Sequence, residues 1–185
     1  MYNSITKSIK TLSIQGLVSI LVKLSVFLSL LIISSNIKIY LPFSPVPVTM
    51  QNLVLFSAVF FLGRKTYILP LAWISLGVFN LPVFTAGGGL SYFLGYTGGY
   101  LIGFLFSGIY LSLVRVPKNL FLLLGYFLIA DSIIYLFGGF GLFAFFGFSF
   151  SKTIQLGLIP FISGDLFKIA LISIIASKFV NQTEK

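Results

Sequence analysis

Six apolar runs, each bounded by glycine, proline or charge, divide this chain at 24–40, 48–62, 67–81, 94–114, 120–137 and 154–176. A helix needs about 20 apolar residues, rising about 1.5 Å each, to cross a hydrocarbon core about 30 Å thick. A length of 185 residues therefore holds about six spans with short loops and leaves no room for a separate soluble domain. Composition agrees, because 58% hydrophobic residues, 8% charged residues and a mean hydropathy of +1.10 place the chain outside the range of water-soluble domains. The predicted fold is an all-α integral membrane protein with six transmembrane helices. A membrane domain, 24–178, lies between an N-terminal cytoplasmic or interfacial segment, 1–23, and a cytoplasmic tail, 179–185.

The net charge of +9 reads as topology and not as a nucleic-acid surface, because the basic residues are scattered between apolar runs. Numbering the loops alternately puts Lys7, Lys10, Lys23, Arg64, Lys65, Arg115, Lys118, Lys178 and Lys185 on one side. Only Lys38 and Lys152 fall opposite, with Lys168 inside a helix. Lysine and arginine concentrate in cytoplasmic loops, so both termini are expected in the cytoplasm and the loops after helices one, three and five outside. The segment 6–22 either extends helix one or lies along the interface. Its apolar run outlasts a signal peptide and has no small-residue cleavage site, so it is expected to stay in the mature protein.

The chain has no cysteine and no histidine, which removes disulfides, thiol nucleophiles, imidazole bases and most transition-metal sites. Its acids are Asp131, Asp165 and Glu184. Loop one carries Pro42, Pro45 and Pro47, which force extended backbone and make a stiff strap over the outer face. In and beyond loop three, Phe84, Gly87, Gly88, Gly89, Tyr92 and Tyr96 alternate glycine with aromatic residues. Glycine permits close backbone approach, and tyrosine offers an apolar face with a polar tip. Turn chemistry alone accounts for the glycines equally well, and the run lacks the spacing and the Lys-Ser/Thr of a phosphate loop.

Asp165 and Lys168 stand three residues apart on one face of helix six, in its outer half. Ionisable groups inside a membrane helix cost about 2.5–3.5 kcal/mol each on insertion scales, so they tend to face a cavity and serve function. A self-satisfied ion pair is the structural alternative. An intramembrane enzyme using the two as acid and base is a rival reading, opposed by the lack of histidine, cysteine, metal-ligand clusters and any nucleophile–base pattern. Asp131 has no charged neighbour in sequence and is left outside the site.

Four segments, in this order, resemble the BioY proteins, the biotin-binding S components of energy-coupling-factor vitamin importers. They are Pro42-Phe43-Ser44-Pro45-Val46-Pro47-Val48-Thr49-Met50-Gln51, Leu81-Pro82-Val83-Phe84 with its glycines, Gly95-Tyr96-Thr97-Gly98-Gly99-Tyr100, and Gly164-Asp165-Leu166-Phe167-Lys168. The resemblance implies a six-helix, non-enzymatic subunit of the bacterial plasma membrane that captures biotin near the outer face, under loops one and three. It implies Asp165 and Lys168 as ligand contacts, with Gln51, Phe84, Gly87, Gly88, Gly89, Tyr92 and Tyr96 around them. A carboxylate suits the ureido N–H groups and an ammonium the valerate carboxylate. The expected partners are biotin, membrane lipid, a transmembrane coupling protein and ATPase subunits, with no cofactor, metal or nucleic acid. The same architecture carrying another vitamin is the alternative, because a fold does not fix its ligand.

Overall fold

A computed structural model describes the backbone of residues 2–182 and the side chains of residues 14–178. Helix α1, Tyr2–Asn36, runs unbroken from the N-terminal segment through the first apolar run. It ends where polar side chains take over its last carbonyls. Ser34 Oγ donates to Leu31 O at 2.8 Å, and Asn36 Nδ2 donates to Ile32 O at 3.0 Å. The strap follows as two short antiparallel strands, β1 (Lys38–Ile39) and β2 (Val48–Thr49), in the register Lys38 with Thr49 and Ile39 with Val48. The three prolines sit between the strands or beside them, where a missing N–H breaks no ladder bond.

Helix α2, Gln51–Leu62, passes through a 3-10 turn at Gly63–Lys65 into α3, Ile68–Val78. The chain turns by 110° there, so α3 heads back instead of continuing α2. A loop over 79–89 and one short helix, α4 (Leu90–Phe93), lead into α5, Gly98–Leu113. Helix α6, Leu120–Phe146, starts on an Asn119 side chain that accepts from Phe121 N at 2.8 Å. Helices α5 and α6 form the closest pair in the bundle, because Gly103 lets them touch: a Cβ there would lie 2.7 Å from Ile134 Cα. The amphipathic α7, Phe150–Gly157, then precedes α8, Ile159–Gln182.

Helices thus occur at all six predicted places, with altered limits. The run 120–137 continues to Phe146, and the run 154–176 is divided between α7 and α8. Pro160, in the first turn of α8, has no N–H to give a preceding turn and marks that break. By length and composition the described residues include three helices able to cross a membrane, at Ile14–Asn36, Leu120–Phe146 and Ile159–Lys178. Helices α2, α3 and α5 are apolar but shorter. Lys185 and Glu184 lie outside the described residues.

Trp73, Phe56, Phe127, Leu31 and Leu55 are fully buried at the bundle centre, where Phe56 and Phe127 stack at 5.2 Å. Leu113, Phe121, Leu136 and Phe145 point outward, as the surface of a chain solvated by lipid must.

Candidate functional site

A cavity of about 650 Å³, its open mouth included, lies at the strap end of the bundle. The strap closes one side with Val46, Pro47, Val48 and Thr49, while α2, α3, α5, α6 and α8 supply the walls.

One wall is aromatic. Phe84 meets Trp73 edge-on at 5.2 Å and stacks on Tyr92 at 5.1 Å, and Phe104 lies edge-on to Trp73 at 5.8 Å. The glycines hold this wall in place without lining the cavity themselves. Phe84 and Gly87 exchange backbone hydrogen bonds at 2.9 and 3.3 Å, and Gly89 N donates to Gly77 O at 2.7 Å. Gly87 and Gly89 have φ of 123° and 97°, a region that L side chains rarely adopt. Gly88 lies so close to the Leu81 carbonyl that a side chain has no room there. Trp73 Nε1 donates to Val83 O at 2.9 Å, tying the same loop to α3.

The opposite wall is polar. Asp165, 8% exposed, accepts from Lys168 Nζ at 2.7 Å on one oxygen and from the Tyr135 hydroxyl on the other. A carboxylate has about four lone-pair positions, so Asp165 retains acceptor capacity toward the cavity. Lys168 does not itself line the cavity and spends a second donor on Thr49 O at 2.5 Å, which binds β2 to α8. Gln51, 5% exposed, accepts from the Thr49 hydroxyl at 3.1 Å, while its Nε2 is buried without any partner. Asn52 Nδ2 donates to Asp131 Oδ1 at 3.2 Å, so this second carboxylate also faces the cavity with unused acceptor positions.

Of the residues predicted from sequence, Asp165, Gln51, Phe84 and Tyr92 line the cavity. Lys168 and the three glycines stand one layer behind it. Tyr96 lies elsewhere, packed on Phe146 at 4.3 Å and Phe148 at 6.0 Å. Sequence reading passed over Asp131, Asn52, Tyr135, Trp73 and Tyr100, all of which line the cavity. Asp131 had a signal, since an acid inside an apolar helix calls for a partner. That partner stands 79 residues away.

The cavity thus offers acceptors from two carboxylates, one unclaimed amide donor and a broad aromatic face. Among the described residues there is no metal-ligating cluster. Fold and cavity together define a multi-pass membrane protein built around a solute-sized chamber that is polar on one side and aromatic on the other. The chain belongs to the BioY family, whose model matches residues 6–185. It is 35% identical to the biotin transporter BioY of Thermotoga maritima over 162 residues, covering 84% of this chain and 92% of that one. Identity to the probable biotin transporter BioY of Pyrococcus horikoshii is 34% over 165 residues, covering 86% and 94%. The crystal structure of the S-component for biotin from an ECF-type ABC transporter superposes with a TM-score of 0.80 at 26% identity, covering 90% of this chain and 93% of that chain.

Proposed function

We propose that this chain captures biotin in the strap-end cavity as the S component of a plasma-membrane importer. The observation that carries the reading is an unclaimed Gln51 Nε2 donor and the Asp165 carboxylate on one polar wall, facing an aromatic wall. A cyclic urea has one carbonyl acceptor and two N–H donors, the complement of that pair. The sulfur ring and aliphatic chain of biotin suit Trp73, Phe84, Tyr92 and Phe104. Asp165 takes a ureido N–H, while Lys168 balances its charge and has one further donor to offer.

Transport energy comes from outside the chain, since no phosphate-loop sequence is present; a transmembrane coupling protein and ATPase subunits supply it. The basic residues support six crossings with both termini in the cytoplasm, and the strap and cavity then open outward. The 110° turn between α2 and α3, with Arg64 and Lys65 at its apex, supports a reversal of the chain's direction there.

Equilibrium binding to the detergent-purified protein tests the assignment. Biotin is expected to bind at least about tenfold more tightly than riboflavin or thiamine, a difference of about 1.4 kcal/mol. Gln51→Leu is expected to weaken biotin about tenfold with only a small drop in unfolding temperature, because the protein loses one part-buried Thr49 hydroxyl bond while Nε2 has no partner in it to lose. Equal or tighter binding of another vitamin overturns the ligand.

A further inference from the structure

At the end of the bundle opposite the strap, a second cavity of about 920 Å³, its open mouth included, lies between the α2–α3 turn and the end of α5. Arg64 and Arg115 both line it, and among the described residues neither guanidinium has a hydrogen-bond or ion-pair partner. The bland account of such arginines is that they satisfy the terminal carbonyls of α2 and α5, but other groups already take several of these. Gly63 N donates to Val59 O, Val114 N donates to Tyr110 O at 3.0 Å, and Tyr126 Oη donates to Leu111 O at 2.8 Å. The two helix ends contribute about half a negative charge each, which leaves the cavity about one unit positive against two guanidinium charges.

The remaining walls are apolar: Val59, Leu111, Leu113, Val114 and Val116. Leu113 is 70% exposed beside Arg115, a surface that an acyl chain covers and a hydrated ion does not. We propose that this cavity binds the phosphate of an anionic phospholipid, with the Arg64 and Arg115 forks on the phosphate oxygens and the acyl chain along Leu113 and Val114. A guanidinium fork matches phosphate geometry, and basic pockets at a membrane interface select anionic headgroups. A soluble phosphate shares the headgroup chemistry but gains nothing from the apolar wall.

Native mass spectrometry of the delipidated, detergent-purified full chain tests this with phosphatidylglycerol, phosphatidylcholine and glycerol phosphate at equal concentration. One phosphatidylglycerol is expected to stay bound per chain, with phosphatidylcholine and glycerol phosphate retained at least about tenfold less. Arg64→Gln with Arg115→Gln is expected to abolish the preference, Lys23→Gln to preserve it, and all three proteins to share one unfolding temperature without lipid. Equal retention of phosphatidylcholine, or loss of the preference in Lys23→Gln, overturns the site. So does a double variant that keeps the preference. Equal retention of glycerol phosphate overturns the lipid assignment.

Discussion

Asp165 and Lys168 are bound to each other and also to Tyr135 and Thr49, so neither can be removed without stranding a buried group. Breaking a buried ion pair from one side costs about 3–5 kcal/mol, whereas replacing both partners with matched uncharged groups is close to neutral. Lys168→Met alone is therefore expected to lower the unfolding temperature sharply, and Asp165→Asn to lower it less because the amide still bonds. The double variant is expected to regain most of the stability and none of the biotin affinity. Thermal unfolding and equilibrium binding of the three proteins check this, and recovery of affinity in the double variant would remove Asp165 from the site. The spacing of the pair was legible in the sequence because it is local to one helical turn. The direction of the lysine was not, since its second acceptor, Thr49 O, lies 119 residues away. Asp131 escaped for the same reason, its Asn52 donor being visible only once α2 and α6 are packed together.

Between residues and fold, the loop over 79–89 is the element that shapes the cavity. Its glycines place Phe84 against Trp73, and none of the three touches the chamber. In Gly88→Ala the new methyl group and the Leu81 carbonyl contend for one space, so the loop must shift. Biotin affinity is expected to fall at least about tenfold, while far-ultraviolet circular dichroism keeps its helical signal, because α2, α5, α6 and α8 do not depend on this loop. Unchanged affinity would mean that the loop does not position the aromatic wall. Hydropathy located the long helices α1 and α6, and Arg64 and Lys65 between two apolar runs marked where α2 gives way to α3. Twelve residues rise about 18 Å, and an apolar count does not reveal the 110° angle at which so short a helix meets the next. Pro160 did carry the signal that separates α7 from α8, and the continuous apolar run around it concealed the break.

Across the whole molecule the two ends differ in charge as well as shape. The strap end carries Lys38 and Lys152, and the other carries Arg64, Lys65, Arg115 and Lys118. Single cysteines introduced at Ser44 and Ala86 are expected to react with a membrane-impermeant maleimide added to intact cells, and one at Lys65 only after permeabilisation. The reverse pattern would invert the proposed orientation. The strap itself is fastened at three points: Lys38 to the Thr85 carbonyl, Ser44 Oγ to Leu156 O at 2.7 Å, and Lys168 to Thr49 O. The last of these passes through the partner of Asp165, so a solute that holds Asp165 only while the strap is seated would make filling the cavity and seating the strap linked equilibria. By reciprocity, whatever strengthens one strengthens the other by the same factor. A protein that gripped the strap from outside and drew it aside would then lower the hold on the solute by that factor, ejecting it without entering the chamber.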